Sequence, residues 1–146
     1  KQVSNYVYLA GPMEDVSHEE MKSWRNSAIE FLNMFGIEVL DPTRRISFHD
    51  ELLQNKNKTK EICNKIFNKD LTDVNNSSVI LADIRRGTGR GIGTAMELMY
   101  AYTLGKKIIL WADISDLEHP FIEAIATEKH YDLYEALEAT TSYYKK

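Results

Sequence analysis

Short apolar runs alternate along the chain with longer stretches whose apolar residues recur at helical spacing. Tyr6 to Ala10 is an apolar run that stops at Gly11-Pro12, and this pattern predicts a buried strand. From His18 to Phe35 the apolar residues recur every three or four positions, which predicts an amphipathic helix that ends at Gly36. The next apolar run, Ile37 to Leu40, predicts a second strand.

The same alternation continues to the end of the sequence. It predicts further strands at 78–82, at 107–111 and near Lys129, and helices at 59–74, 92–104, 120–126 and 133–141. The polar stretch 43–58 is harder to assign, although 46–53 is compatible with a short helix. In a chain of 146 residues, this pattern predicts a single α/β domain over residues 1–146. We expect a doubly wound, flavodoxin-like or Rossmann-like parallel sheet of five strands, with helices on both faces.

In such sheets, ligands bind just beyond the carboxyl ends of the strands. The residues that follow the predicted strands are therefore candidates for substrate binding. They are Gly11 and Met13 after the first strand, Asp83 after the third, and His119 in a loop after the fourth.

A glycine-rich loop follows the third predicted strand. The backbone N–H groups of such a loop can approach a ligand closely, and the start of the next helix favours anions. The loop matches neither a P-loop nor a dinucleotide-binding fingerprint. A surface loop with solvated arginines is the alternative. The candidate binding residues here, above all for a phosphate, are Arg90, Gly91, Gly93 and Thr94.

Two carboxylates are candidates for chemistry. Glu97 lies in the first turns of the helix after this loop, where the helix dipole stabilises an anion. A positioned anionic carboxylate can act as a nucleophile in glycosyl transfer. Asp70 lies on or beside the apolar stripe of its helix, and burial there raises the pKa of a carboxyl, which suits a general acid. A helix-start glutamate and a helix-edge aspartate without catalytic roles are the alternatives. Tyr8 lies inside the first strand, where its hydroxyl needs a partner that a carboxylate would supply.

The overall charge and the cysteine content limit the partners. The formal net charge of −4 argues against a broad basic face for a nucleic-acid polymer, although a small phosphate can still bind locally. No apolar run approaches the ~20 residues needed to cross a membrane.

The single cysteine, Cys63, allows no internal disulfide and no zinc cage, and it favours the reducing cytoplasm. The four histidines lack metal-ligand spacing, so we predict no metal site.

Three motifs resemble those of the nucleoside 2-deoxyribosyltransferases, whose scaffold also serves the 2'-deoxynucleoside 5'-monophosphate N-glycosidases. They are Tyr-Leu-Ala-Gly-Pro-Met at 8–13, Asn-Lys-Asp-Leu at 68–71 and Gly-Thr-Ala-Met-Glu-Leu at 93–98. The resemblance extends from Tyr8 to about Ala136. It implies cleavage or transfer at the N-glycosidic bond of 2'-deoxynucleosides, without a redox or metal cofactor.

The resemblance also implies a role for each candidate residue. Glu97 matches the nucleophile that attacks C1' of the sugar and holds it covalently. Asp70 matches the carboxyl that handles the proton of the departing base, and Tyr8 matches the tyrosine that orients the nucleophile. In this family a neighbouring subunit completes the site, so a homo-oligomer is implied. The loop that contains His119 lies where the neighbour's contribution is expected.

The sequence departs from the family at the positions that contact the 5' end of the sugar. Gly91 stands where transferases of free nucleosides usually carry an acidic residue, and His119 stands where they carry an asparagine. With Arg90 adjacent, these changes reduce the repulsion of a 5'-phosphate. The monophosphate N-glycosidases have serines at both places, which this chain also lacks, and Met99 replaces a common glycine. A transferase, a monophosphate hydrolase and, from another class, a non-catalytic nucleotide-binding module therefore remain open.

Overall fold

The computed structural model describes residues 4–13, 16–45, 59–85, 91–113 and 119–145. The strands are β1 (Tyr6–Ala10), β2 (Glu38–Leu40), β3 (Val79–Asp83), β4 (Lys107–Trp111) and β5 (Glu128–His130). The helices are α1 (His18–Met34), α2 (Lys60–Asn76), α3 (Ile92–Thr103), α4 (Pro120–Ile125) and α5 (Leu133–Ser142). A 3₁₀ turn at Pro42–Arg45 follows β2. The strands and helices predicted above are found with ends that shift by about two residues at most, whereas the short helix considered at 46–53 lies outside the described residues.

The five strands form one parallel sheet in the order β2-β1-β3-β4-β5. Tyr8 of β1 is in register with Leu40 of β2 and with Ile80 of β3. The predicted α/β class and the doubly wound five-stranded sheet are therefore confirmed. The strand order reverses between β1 and β3, so the crevice above the ends of these two strands is the expected ligand site.

Helices cover both faces of the sheet, and the alternation of side chains along each strand decides which face a residue contributes to. Val7 and Leu9 of β1 pack in the cluster that α1 and α5 cover. Tyr8, between them, packs in the opposite cluster, to which α2, α3 and α4 contribute. This alternation places the Tyr8 hydroxyl on the same face as Glu97.

Local capping explains where several helices begin and end. The side chains of Ser17, Thr59 and Asp132 accept hydrogen bonds from the first turns of α1, α2 and α5. After α1, Gly36 adopts a positive φ of 74°, which a residue without a side chain adopts at little cost. No helix in the described parts of the chain combines the length and apolar character that crossing a membrane requires.

Candidate active site

The hydroxyl of Tyr8 donates a hydrogen bond of 2.6 Å to Oε2 of Glu97. Tyr8 is fully buried in β1, and Glu97 lies partly buried in the second turn of α3. The two residues are far apart in sequence, and the sheet and the helix above it bring them together. The bond leaves the other carboxylate oxygen, Oε1, clear of the tyrosine.

Asp70 is the second carboxyl group of this site. It is buried on α2, and α2 packs against α3. The negative charge of Asp70 is close enough to raise the pKa of both Glu97 and Tyr8. Asp73, one turn further along α2, is buried as well, but its carboxylate pairs with Nζ of Lys69 at 3.2 Å. Asp70 is thus the aspartate of α2 that acts on the Tyr8–Glu97 pair.

The surroundings of Glu97 raise its pKa to about 8. Burial is the largest cause, and the hydrogen bond from Tyr8 opposes it; the charge of Asp70 raises the pKa further and the charge of Arg25 lowers it. Stabilisation of the anion by the helix dipole, expected from the sequence, is therefore outweighed by desolvation. The pKa of Tyr8 is raised well above its usual value by burial first and then by the charge of Glu97, so Tyr8 remains a neutral donor.

The raised pKa predicts a pH-dependent cost of ionising Glu97 in the folded protein. The pKa is about 8 when folded against an ordinary value of 4.5, so stability from this group is full below pH 4.5 and is lost as the pH rises to 8. We expect Glu97→Gln to gain stability relative to the wild type across this window, by a few kcal/mol at pH 8. Urea unfolding of both proteins at several pH values measures this difference in the free energy of unfolding.

Glu138→Gln, which changes an exposed carboxylate of α5, is the matched control for this measurement. Its stability difference from the wild type should stay nearly constant with pH. A Glu97→Gln difference that does not widen between pH 4.5 and pH 8 would contradict the raised pKa.

Arg25 of α1 is a residue of this region that the sequence analysis missed. Its side chain is fully buried. Nη1 donates to the carbonyl oxygen of Met21 and Nη2 donates to the carbonyl oxygen of Gly11, both at 3.1 Å. Nε lies 3.4 Å from Oδ1 of Asp41. The signal in the sequence was a charged residue on the apolar stripe of α1, four positions after Met21 and three before Ala28.

Gly11 is required by close packing. A Cβ atom there would lie 3.1 Å from Cζ2 of Trp24, 3.3 Å from Nη2 of Arg25 and 3.4 Å from Cβ of Asp83. These distances are tight, so a side chain would displace its neighbours. Met13, two residues further along, is half-buried. Substrate binding by Gly11 and Met13 stays a prediction.

Asp83, at the end of β3, is held by an arginine. The backbone N–H and Nε of Arg85 donate to Oδ1 at 3.1 and 2.9 Å, and Nη2 donates to Oδ2 at 3.0 Å. The guanidinium carbon lies 3.6 Å from the centre of the Trp111 ring. A substrate that used Asp83 would therefore compete with Arg85 for both oxygens.

A cleft of about 640 Å³ opens beside these residues. Its lining includes Pro12, Trp24, Asp83, Arg85 and Trp111, but not the Tyr8–Glu97 pair or Asp70. Leu81 and Trp111 pack on the α1 and α5 side of the sheet, and Asp83 shares that side with Leu81 by strand alternation. The carboxylates of Glu97 and Asp70 lie on the other side of the sheet. We place the candidate site at the carboxylates because the paired and perturbed groups are there.

The model of the nucleoside 2-deoxyribosyltransferase family matches residues 7–132. The chain belongs to this family. The match includes Tyr8, Asp70 and Glu97, and it confirms the resemblance drawn from the three motifs. A comparison with curated proteins gives no significant match.

Solved structures of related proteins share the fold. The 2-deoxyribosyltransferase of Bacillus psychrosaccharolyticus is 21% identical, with a TM-score of 0.69 over 90% of each chain. The CMP N-glycosidase of Clostridium botulinum is 20% identical, with a TM-score of 0.58 over 93% of this chain and 98% of the other. A 2-desoxiribosyltransferase of Leishmania mexicana is 26% identical, with a TM-score of 0.52 over 73% of this chain and 63% of the other.

The start of α3 carries the remaining loop candidates that the structure describes. Gly91 is the N-cap, with no side chain to cap the helix, and no acidic residue lies in the first turn. Gly93 is exposed and Thr94 is buried. Arg90 lies outside the described residues. Substrate binding at this helix start is a prediction.

His119 caps α4 within its own chain. Its Nδ1 accepts a hydrogen bond of 3.1 Å from the backbone N–H of Phe121, and its ring meets the Phe121 ring edge-on at 5.4 Å between centres. The residue is exposed, so Nε2 can still contact a ligand or a neighbouring subunit.

Within the described ranges, no three His, Cys, Asp or Glu side chains are grouped as a metal ion would require.

Proposed function

We propose that the chain cleaves the N-glycosidic bond of 2'-deoxynucleosides and transfers the sugar to a second base through a covalent intermediate on Glu97. The observation that carries the proposal is the 2.6 Å hydrogen bond from Tyr8 to Glu97. It fixes one oxygen of the carboxylate. A positioned nucleophile next to a second carboxyl group is what a retaining glycosyl transfer requires.

In the first half-reaction, Oε1 of Glu97 attacks C1' while the bond from C1' to the base nitrogen breaks. The electron pair remains on the base, and Asp70 donates the proton that neutralises it. Positive charge that develops on the sugar ring favours the ionised form of Glu97, which offsets the cost of desolvating its carboxylate. Tyr8 keeps the carboxylate oriented throughout.

In the second half-reaction, a nitrogen of the incoming base attacks C1' and the ester bond to Glu97 breaks. Glu97 leaves as a carboxylate, and Asp70 takes the proton that the incoming base loses. Two inversions at C1' restore the original configuration. Each group thus returns to its starting protonation state without a redox or metal cofactor.

A hydrolase of 2'-deoxynucleoside 5'-monophosphates is the second candidate. The observation that favours it is the start of α3, where Gly91 supplies no carboxylate and the first turn contains no acidic residue. Amide groups at such a helix start attract a phosphate, whereas an acidic residue there would repel it. In this variant, water replaces the incoming base and the products are the free base and the sugar 5-phosphate.

Product analysis by liquid chromatography tests the proposal. The protein is incubated with each 2'-deoxynucleoside and each 5'-monophosphate, with and without a second free base. A new nucleoside that forms only with the added base is the expected result. Release of free base mainly from monophosphates, with or without that base, would establish the hydrolase instead. No conversion of any substrate would leave the non-catalytic nucleotide-binding module.

A homo-oligomer in which a neighbouring subunit completes the site belongs to the proposal. Apolar residues one turn apart on α3, Ile92, Met96 and Met99, are exposed on the helix that also carries Glu97. Phe121, near His119 on α4, is exposed as well. A second copy that covers these side chains would bury apolar surface and bring its own residues to the site. Location in the cytoplasm stays a prediction from the single cysteine.

We expect Met96→Glu to weaken the oligomer, because a carboxylate would replace an apolar contact in the interface. Analytical ultracentrifugation should show smaller species, and kcat/KM should fall about tenfold or more. Met34→Glu changes a methionine of comparable exposure at the end of α1 and is the control, with size and activity unchanged. A fully active monomeric wild type would contradict the shared site.

A further inference from the structure

The buried guanidinium of Arg25 links α1 to the carboxyl ends of two strands. It binds the carbonyl oxygen of Met21 in its own helix and that of Gly11 just after β1. Its Nε faces Asp41, which follows β2, at 3.4 Å. The side chain therefore reaches the edge of the sheet where a substrate binds, and the neighbouring loop continues to Pro12 and Met13.

The absence of a side chain at Gly11 lets the guanidinium approach the end of β1. Nη2 would lie only 3.3 Å from a Cβ atom at this position. The guanidinium carbon also lies 4.9 Å from the centre of the neighbouring Trp24 ring, which limits its movement on that side. Gly11 and Trp24 together define a narrow position for the arginine.

Asp41, the ionic partner of Arg25, is also held by a threonine. Asp41 accepts hydrogen bonds from the backbone N–H and the hydroxyl of Thr43 at 2.9 and 2.8 Å. Among the described residues, no acceptor has hydrogen-bond geometry to Nε of Arg25. Asp83, another carboxylate near Arg25, is held by Arg85.

Four ionisable groups on different elements interact electrostatically in this region. Glu97 on α3 accepts the hydrogen bond of Tyr8 on β1 and interacts electrostatically with Asp70 of α2 and Arg25 of α1. Arg25 is the cation in this group, and its charge lowers the pKa of Glu97, against the burial and Asp70 that raise it. Removing one partner of a buried ion pair destabilises a protein, so a role of Arg25 in the reaction has to be separated from a structural role by a measurement other than stability.

We propose that Arg25 is a positioning residue for the glycosyl transfer, with two separable effects. Its forked hydrogen bonds fix the Gly11 carbonyl group and, through it, the loop after β1 that borders the substrate. Its charge stabilises the ionised form of the Glu97 nucleophile. This inference rests on the function proposed above, since it assigns Arg25 to the same site.

Two variants separate the effects. Arg25→Met removes both the fork and the charge and keeps most of the volume. Arg25→Lys keeps the charge, but its single ammonium group cannot reproduce the planar fork that binds both carbonyl groups. Titration of the ¹³C-labelled Glu97 side-chain carboxyl, assigned with Glu97→Gln, reports the charge effect without turnover. The pH profile of kcat/KM reports the effect on the reaction.

We expect the Glu97 titration in Arg25→Met to move to higher pH, and the acidic limb of the kcat/KM profile to move in the same direction. In Arg25→Lys the titration should stay near the wild-type position. Both variants should lose about 10- to 100-fold in kcat/KM, because the loop that borders the substrate is displaced. The loss of kcat/KM in Arg25→Lys therefore measures the contribution of the forked hydrogen bonds, because the charge is kept.

An unchanged Glu97 titration in Arg25→Met, or a fully active Arg25→Lys, would overturn the inference. If Arg25→Met does not fold, Arg25→Lys decides: a folded variant with reduced kcat/KM supports the fork, and full activity refutes it. Failure of the proposed function gives a different result. Glu97→Ala would then retain turnover, while the titration of the Glu97 carboxyl could still be measured in the wild type and in the Arg25 variants.

Discussion

Glu97→Ala is expected to lower turnover by about 10⁴-fold or more while the protein stays folded. In the proposed mechanism the alanine removes the oxygen that forms the bond to C1'. Among the described residues no other carboxylate occupies its position, because Asp70 lies on a different helix. Tyr8 loses its acceptor, which costs some stability, but burial of a desolvated carboxyl is relieved at the same time. Turnover by product chromatography and unfolding in urea measure the two effects separately.

The control is Glu138→Ala, which removes an exposed glutamate from α5. It should retain wild-type turnover. A Glu97→Ala protein that turns over at the wild-type rate would exclude the covalent mechanism. A further check is trapping: acid quenching during turnover should leave the deoxyribosyl group attached to the wild type and not to the variant, as measured by intact mass.

The position of the candidate site follows from local patterns. The alternation in β1 predicts opposite faces for Val7 and Tyr8, and the helical spacing places Asp70 beside the apolar stripe of α2. The apolar run of β3 and the polar residues after it predict where this strand ends. These features depend on neighbours in sequence, so local patterns are enough to predict them.

The electrostatic balance at the site could not be predicted in this way. The helix dipole is a local property and favours an anionic Glu97, but the burial that raises its pKa to about 8 comes from the packing of α3 on the sheet and α2. The reach of Arg25 to Gly11 is likewise tertiary, because it depends on the length of one side chain and on the missing side chain of another residue. The capping of α4 by His119 is local, but histidine is a rare cap.

Asp70→Asn is expected to slow the reaction according to how much the departing base needs a proton. With an ordinary purine 2'-deoxynucleoside the base leaves with excess negative charge, and loss of the acid should cost about 10²- to 10⁴-fold. A purine methylated at N7 is already cationic and leaves as a neutral base. Its cleavage should slow by less than about tenfold, since the proton contributes little to that transition state.

An aspartate-to-asparagine substitution one turn further along α2 provides the control for Asp70→Asn. Asp73→Asn breaks the pair with Lys69 on the same helix but should slow both substrates equally and only slightly. Single-turnover rates with the two substrates give the comparison free of product release. If Asp70→Asn slows the methylated and the ordinary substrate by the same factor, Asp70 is not the proton donor. Its contribution would then be electrostatic, through the charge that it places beside Tyr8 and Glu97.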